Sequence, residues 1–232
     1  MRILGIESSS LVAGVAVVTD GILTAEYTVN YKKNHSQTLL PMLDEVRKLL
    51  ELDLDTIDGI AVSAGPGSFT GLRIGSATAK GLGLALKKPL IHIPTVDAMA
   101  YNLWGSSALI CPIMDARRNQ VYTGLYYVQE RLEIVKGQCA VDMGQLIQEL
   151  NAREEPVIFL GDGVPVFGDA IKAQLTVPCQ FAPAQSNRQR AASVAALGLR
   201  YMEEGKIESA AEHKPEYLRK PQAEREREGI TL

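Results

Sequence analysis

The sequence predicts an α/β protein made of two related halves, each a mixed sheet with helices on its faces. Three observations carry this. Residues 1–104 and 105–232 follow one plan: three strands joined by tight turns, then alternating helix and strand. Each first strand ends in an acid, Glu7 after RILGI and Asp115 after ICPIM. Hydrophobic residues make up 46% of the 232, enough to fill a core in each half.

The first half opens with a buried strand, RILGI, followed by AGVAVVTDGILTAEYTV, which reads as a hairpin. Asp20-Gly21 supplies the positive φ angles of its turn. In HSQTLLPMLDEVRKLLEL, the residues Leu39, Met42, Leu43, Val46, Leu49 and Leu50 recur at helical spacing. Pro41 fits that helix only in its first turn, where no N–H is needed. IDGIAVSAG is a strand, and the glycine-rich segment after it is a helix ended by Lys87-Lys88-Pro89. LIHIPT is a strand and VDAMAYNLW a short helix. The plan then restarts near residues 104–107. ALICPIMDARRNQVYTGLYYV is strand, turn and strand, and EIVKGQCAV a third strand. A helix over 144–150, the strand PVIFLGDG, a helix over 166–175 and a long helix in RQRAASVAALGLRYMEEG complete the second half. Tyr217-Leu218-Arg219 reads as a segment docked on the body, with a mixed-charge tail beyond it.

Lys and Arg total 24 against 27 Asp and Glu, a net charge of -3, which argues against a primary nucleic-acid binder. No stretch reaches the roughly 20 apolar residues of a membrane span, and the N-terminal run is too short for a signal peptide. The cysteines (Cys111, Cys139, Cys179) form no CxxC pair, as expected of reduced thiols in the cytoplasm. The histidines (His35, His92, His213) lie far apart, so the sequence predicts no metal cluster.

The segment SAGPGSFTGLRIGSATAKGLGLAL tests poorly as a nucleotide loop. In the Walker template, Pro66 takes the first glycine position and Leu72 the lysine. In the dinucleotide template, Thr70 takes the third glycine position. A four-residue spacing is stronger: Gly71, Gly75, Ala79 and Gly83 form one ridge of a helix, and Ala77, Gly81 and Ala85 a neighbouring one. The three glycines of the first ridge cost roughly 3 kcal/mol, which close packing must offset. Packing on the protein's own sheet and contact with another subunit both satisfy that need. Gly65, Gly67 and Ser68 join a strand end to a helix start, where N–H groups receive an anion or Ser68 simply caps the helix. Glu7 and Asp115 either order a hydrated cation or hydrogen-bond their own turns.

RILGIESS, HSQTLLPML, AGPGSFTGLRIG, DARRNQVY and PEYLR occur in this order across nearly the whole chain. Together they resemble the TsaB (YeaZ) family of the bacterial machinery that makes threonylcarbamoyladenosine in tRNA. The resemblance implies the actin-like and sugar-kinase-like (ASKHA) fold, two ribonuclease-H-like halves with the second reduced. It implies a non-catalytic subunit that pairs with its catalytic paralogue TsaD and with the ATPase TsaE. Contact with tRNA is then indirect, no metal is bound, and no cofactor is held tightly, ATP or ADP belonging to the complex interface. TsaD carries a metal-binding His-x-x-x-His where this chain has Thr95 and Met99. Neither residue suits a hard or borderline cation. The family pairs through helices that correspond to residues 36–50 and 70–86 here. The expected interface residues are His35, Leu39, Leu43, Val46, Leu50, Phe69, Gly71, Arg73, Gly75, Ala79 and Gly83. The same face allows a homodimer. The alternative is an ATP-dependent small-molecule kinase of the same fold that relies on Glu7 or Asp115; no peptidase motif is present.

Overall fold

A computed structural model describes residues 1–32 and 34–219. The first sheet comprises β1 (Arg2–Glu7), β2 (Val12–Thr19), β3 (Ile22–Asn30), β4 (Gly59–Gly65) and β5 (Leu90–Pro94), in the order β3-β2-β1-β4-β5. The second comprises β6 (Ser106–Asp115), β7 (Gln120–Val128), β8 (Leu132–Asp142), β9 (Val157–Leu160) and β10 (Cys179–Phe181), in the order β10-β9-β6-β7-β8. Counted within each half, the two orders are identical. In both, the first three strands run antiparallel and the fourth and fifth run parallel to the first. The β2–β3 turn is made by Asp20 (φ 51°) and Gly21 (φ 80°), as their residue types require.

The helices are α1 (His35–Leu49), α2 (Phe69–Leu86), α3 (Thr95–Tyr101), α4 (Met143–Arg153), α5 (Val164–Gln174) and α6 (Ala191–Glu203). A 3-10 turn, Leu54–Thr56, precedes β4. The second copy is the shorter: α4 and α5 have 11 residues each, against 15 in α1 and 18 in α2. β10 has three residues against five in β5, too few to show in the sequence pattern. None of the described helices is long and apolar enough to cross a membrane.

α1 starts earlier than its proline predicts. Asn34 caps it by accepting the Ser36 N–H, so Pro41 falls in the second turn and is exposed. Its missing N–H and crowded ring cost about 3 kcal/mol or more. Burial of Leu39, Met42, Leu43 and Val46 against the first sheet offsets this.

Strand alternation sends Leu4 and Ile6 of β1 toward α1 and α2, and Ile3 toward α6. The second sheet buries Leu109, Cys111 and Ile113 with α4 and α5, and Ile110 and Met114 with α3. The halves therefore exchange helices. α6 closes the first sheet, with the Ala191 carbonyl only 2.6 Å from where a Cβ on Gly5 would sit. The division at residues 104 and 105 is thus corrected: α6, read as part of the second half, packs on the first sheet. Residues 205–213 follow it there. Leu90 and Glu208 exchange backbone hydrogen bonds of 2.9 Å, and Lys80 Nζ donates to the carbonyls of Ala211 and His213. The sequence beyond Arg219, including the mixed-charge run, lies outside the described residues.

α3 and α6 meet at the joint between sheets, where Asp97 is buried. It accepts from Tyr126 Oη at 2.7 Å and Tyr201 Oη at 3.4 Å. Loss of solvent raises its pKa to about 6, although both hydroxyls favour the charged form. Its folded carboxyl holds a proton more tightly than the unfolded one, so its contribution to stability is full below its ordinary value of 3.8 and declines as pH rises to about 6. Asp97→Asn removes that decline: in urea unfolding, the variant should gain roughly 2 kcal/mol relative to the parent between about pH 4 and about pH 7.5.

The two small-residue ridges of α2 give a second prediction. A Cβ on Gly71 would lie 2.1 Å from the Ser8 carbonyl oxygen, whereas one on Gly81 meets nothing within 4 Å. Gly71→Ala should destabilise the chain by about 1–3 kcal/mol. Gly81→Ala should stabilise it by about 0.4–1 kcal/mol. Thermal unfolding of the pair checks both signs.

Candidate functional site

The ends of β1, β4 and β6 and the turn after β9 meet around an open cleft of about 380 Å³ between the sheets, lined by Ser9, Gly67, Ser68, Asp115, Tyr122 and Asp162 among others. Glu7 lies beneath it, 1% exposed. One Glu7 oxygen accepts the Ser9 N–H at 2.6 Å and the Ser9 hydroxyl at 2.5 Å; the other has no hydrogen-bond partner among the described residues. Burial raises the Glu7 pKa against the pull of Ser9. Asp115 performs the same local task in the second half. It accepts the Arg117 N–H at 2.8 Å and pairs with the Arg117 guanidinium at 3.0 Å. That turn needs three consecutive left-handed residues, Arg117, Arg118 and Asn119 (φ 66°, 55° and 58°). Asp115 partly fixes this geometry by capping. Both carboxylates thus hold the turn two residues ahead of them.

The Gly-Pro-Gly-Ser loop is a site of close backbone approach. A Cβ on Gly65 would lie 2.1 Å from the Glu216 carbonyl oxygen, and one on Gly67 would lie 2.3 Å from that of Ser9. Gly65 also has φ +126°, a conformation that other residues rarely adopt. The Ser68 N–H, a natural anion donor at this helix start, donates instead to the Ser9 carbonyl at 2.6 Å. The Ser68 hydroxyl caps α2 by accepting the Gly71 N–H at 3.3 Å. The glycines thus accommodate neighbouring backbone.

The expected interface set needs correction. Leu39, Leu43 and Val46 face the protein's own core, with Leu50 at its edge. Gly71, Gly75, Ala79 and Gly83 are buried, because their ridge abuts Ser8, β5 and Ala210. Nε2–H of His35 donates to the Ser10 carbonyl at 2.7 Å, anchoring α1 to the β1–β2 turn. Phe69 is stacked by Tyr217 at 4.3 Å and covered by Arg73 at 4.0 Å. Arg73 alone of the set is exposed. The exposed surface of α1 and α2 also carries residues outside that set: Leu40 and Leu84 (53 and 62% exposed) with Ala77, Gly81 and Ala85, beside the charged Glu45, Arg47 and Lys48.

Three groups escaped the sequence reading. Asp162 is buried beside the cleft and accepts from Gln189 Nε2 at 3.3 Å; burial raises its pKa. Its sequence signal is the Gly-Asp-Gly turn closing PVIFLGDG. Asp97 had no signal beyond a polar residue in an apolar helix. His92 and His213, far apart in sequence, have ring centroids 5.9 Å apart. Thr95 and Met99 lie one turn apart on α3, 0 and 1% exposed, with Met99 in the core beside the second sheet. Tyr217-Leu218-Arg219 docks: the Glu216 N–H donates to Ala64 O at 2.7 Å, and Arg219 Nη1 to Ala116 O at 2.5 Å.

A glucomannokinase from Arthrobacter sp. strain KM, using inorganic polyphosphate or ATP, shares the fold at a TM-score of 0.52 and 13% identity, over 88% of this chain and 99% of its own. YeaZ from Pseudomonas aeruginosa shares it more fully: TM-score 0.80 at 22% identity, over 94% and 99%. The family model described as TsaD, tRNA N6-adenosine threonylcarbamoyltransferase, matches residues 23–227. The tRNA threonylcarbamoyladenosine biosynthesis protein TsaB of Bacillus subtilis is 34% identical over 97% of this chain and 96% of its own. End-to-end similarity to a TsaB protein, on a fold shared with YeaZ, settles which branch this is: the chain belongs to the TsaB (YeaZ) family of tRNA threonylcarbamoyladenosine biosynthesis proteins.

Proposed function

We propose that this chain is the non-catalytic subunit that holds TsaD in its active arrangement and lets TsaE act on the pair. The complex would transfer threonylcarbamoyl to N6 of adenosine in tRNA, with tRNA reaching this chain only through its partners. The observation that carries the reading is the outward face of α1 and α2. Small residues Ala77, Gly81 and Ala85 lie open on α2, and Leu40, Leu49 and Leu84 stand exposed on the two helices. Single exposed leucines are ordinary, but Leu84 on the same side of α2 as Ala77 and Gly81, with Leu40 outward on the helix packed beside it, suits another helix pair. A like surface on TsaD, or on a second copy of this chain, would complete it.

Thr95 and Met99 support the non-catalytic role. They occupy one face of α3 where TsaD carries its metal-binding histidines, and both are buried in packed surroundings. The Ser68 N–H at the helix start is already hydrogen-bonded within the chain, which supports a nucleotide site at the joint with the partner over one in this chain alone. The free thiols Cys111, Cys139 and Cys179 agree with the reducing cytoplasm.

An omission assay tests the role. TsaD, TsaE, threonylcarbamoyl-adenylate, ATP and tRNA are combined with and without this chain, and modified adenosine is measured. Multiple turnover should require the chain, and the chain alone should yield no product. Turnover that ignores its omission would overturn the reading, and tight ATP binding by the isolated chain would favour the kinase alternative. The face is tested separately by Leu84→Glu and Ala77→Arg. Each should weaken pairing with TsaD about tenfold or more while leaving the unfolding curve of the isolated chain unchanged. Undiminished pairing in both variants would move the interface elsewhere.

A further inference from the structure

His92, Glu208 and His213 converge where the C-terminal segment crosses β5. They offer one donor atom each within 4.8 Å of one another. Glu208 Oε1 lies 2.6 Å from His213 Nδ1 and 3.9 Å from His92 Nδ1. On its other side, His92 Nε2 faces Glu216 Oε2 at 3.7 Å, and that oxygen accepts from Gln138 Nε2 at 2.7 Å. The positions are fixed by backbone. Glu208 is held by its reciprocal bonds to Leu90, and His213 by its N–H to Ser209 O at 3.2 Å and its carbonyl to Lys80.

The protein's own groups leave this cluster incompletely satisfied. His213 is 1% exposed, with Nδ1 turned to Glu208 and Nε2 without a hydrogen-bond partner among the described residues. His92 meets both of its carboxylates only beyond hydrogen-bond range.

We propose that His92, Glu208 and His213 bind a divalent transition-metal ion of the zinc class, clipping the C-terminal segment to β5. Two imidazoles and a carboxylate are a borderline donor set suited to zinc or cobalt. With bonds of about 2.0–2.1 Å, tetrahedral donors stand roughly 3.3–3.5 Å apart. From 2.6 Å the Glu208–His213 contact must open by about 0.7–0.9 Å, and from 3.9 Å the Glu208–His92 contact must close by about 0.4–0.6 Å. The ion displaces the proton shared by Glu208 and His213, which passes to solvent. Glu216 orients the His92 ring from outside, the usual place of a carboxylate behind a ligating histidine. With Glu208, it balances the charge of a dication. The ion's role is structural: it ties down the segment whose end carries Tyr217 onto Phe69.

The test uses the full chain without an affinity tag, stripped by chelator and titrated with Co(II), then Zn(II). One equivalent of Co(II) should bind and give visible d–d absorption, without the near-ultraviolet band of a cysteine thiolate ligand. Zn(II) should displace it and raise the unfolding midpoint, and chelator should reverse the rise. His92→Gln, at a half-buried position, should keep the fold by circular dichroism while cobalt affinity drops about tenfold or more. Glu208→Gln should do the same. If His213→Ala fails to fold, the two milder variants still decide. Absence of saturable cobalt binding, or binding unchanged in His92→Gln, overturns the proposal.

Discussion

The carbonyl oxygens of Ser8 and Ser9 lie where side chains at positions 71 and 67 would begin. This contact sets the distance between the β1–β2 turn and the start of α2, and no residue larger than glycine keeps it. The Ser8 hydroxyl then donates to the Gly71 carbonyl at 2.9 Å, and the Ser68 N–H to the Ser9 carbonyl, so the approach is hydrogen-bonded as well as close. With one ridge of α2 committed inward, the other must point to solvent. The apparent phosphate loop and the apparent interface ridge are therefore two parts of a single packing arrangement. What the molecule offers a partner is the remainder.

The duplication carries a related lesson. Glu7 and Asp115 occupy equivalent strand ends and each accepts the backbone N–H two residues on. A carboxylate at such a place in a kinase-like fold invites a catalytic reading. Here each is already engaged in its own turn. The difference lies in surroundings: Glu7 is sealed with one unpartnered oxygen, whereas Asp115 keeps an arginine and a rim of solvent.

Much of the fold was legible because it rests on local chemistry. Strand alternation, the Asp20-Gly21 turn and the repeated order of elements showed the strands of both sheets apart from β10, though not their order in space. The site was less legible. Helical periodicity shows that α1 has an apolar stripe and α2 two ridges, yet it cannot say which ridge meets Ser8. Leu39, Leu43 and Val46 are the stripe that any amphipathic helix buries, so choosing them for a partner confused the core face with the outer one. Nor can spacing reveal that α6 returns to the first sheet or that His213 meets His92. Those contacts span more than a hundred residues and are set by how the completed layers stack.

The exchange of helices between halves bears on the order in which the chain can fold during synthesis. The face of the first sheet formed by Ile3, Ala61 and Ile91 is covered by Val194, Ala195 and Leu197. Those residues leave the ribosome only after the whole second sheet has been made. The N-terminal half must wait with an apolar face uncovered, vulnerable to non-native association throughout that interval. Its maturation is thus a late event, completed only when α6 arrives.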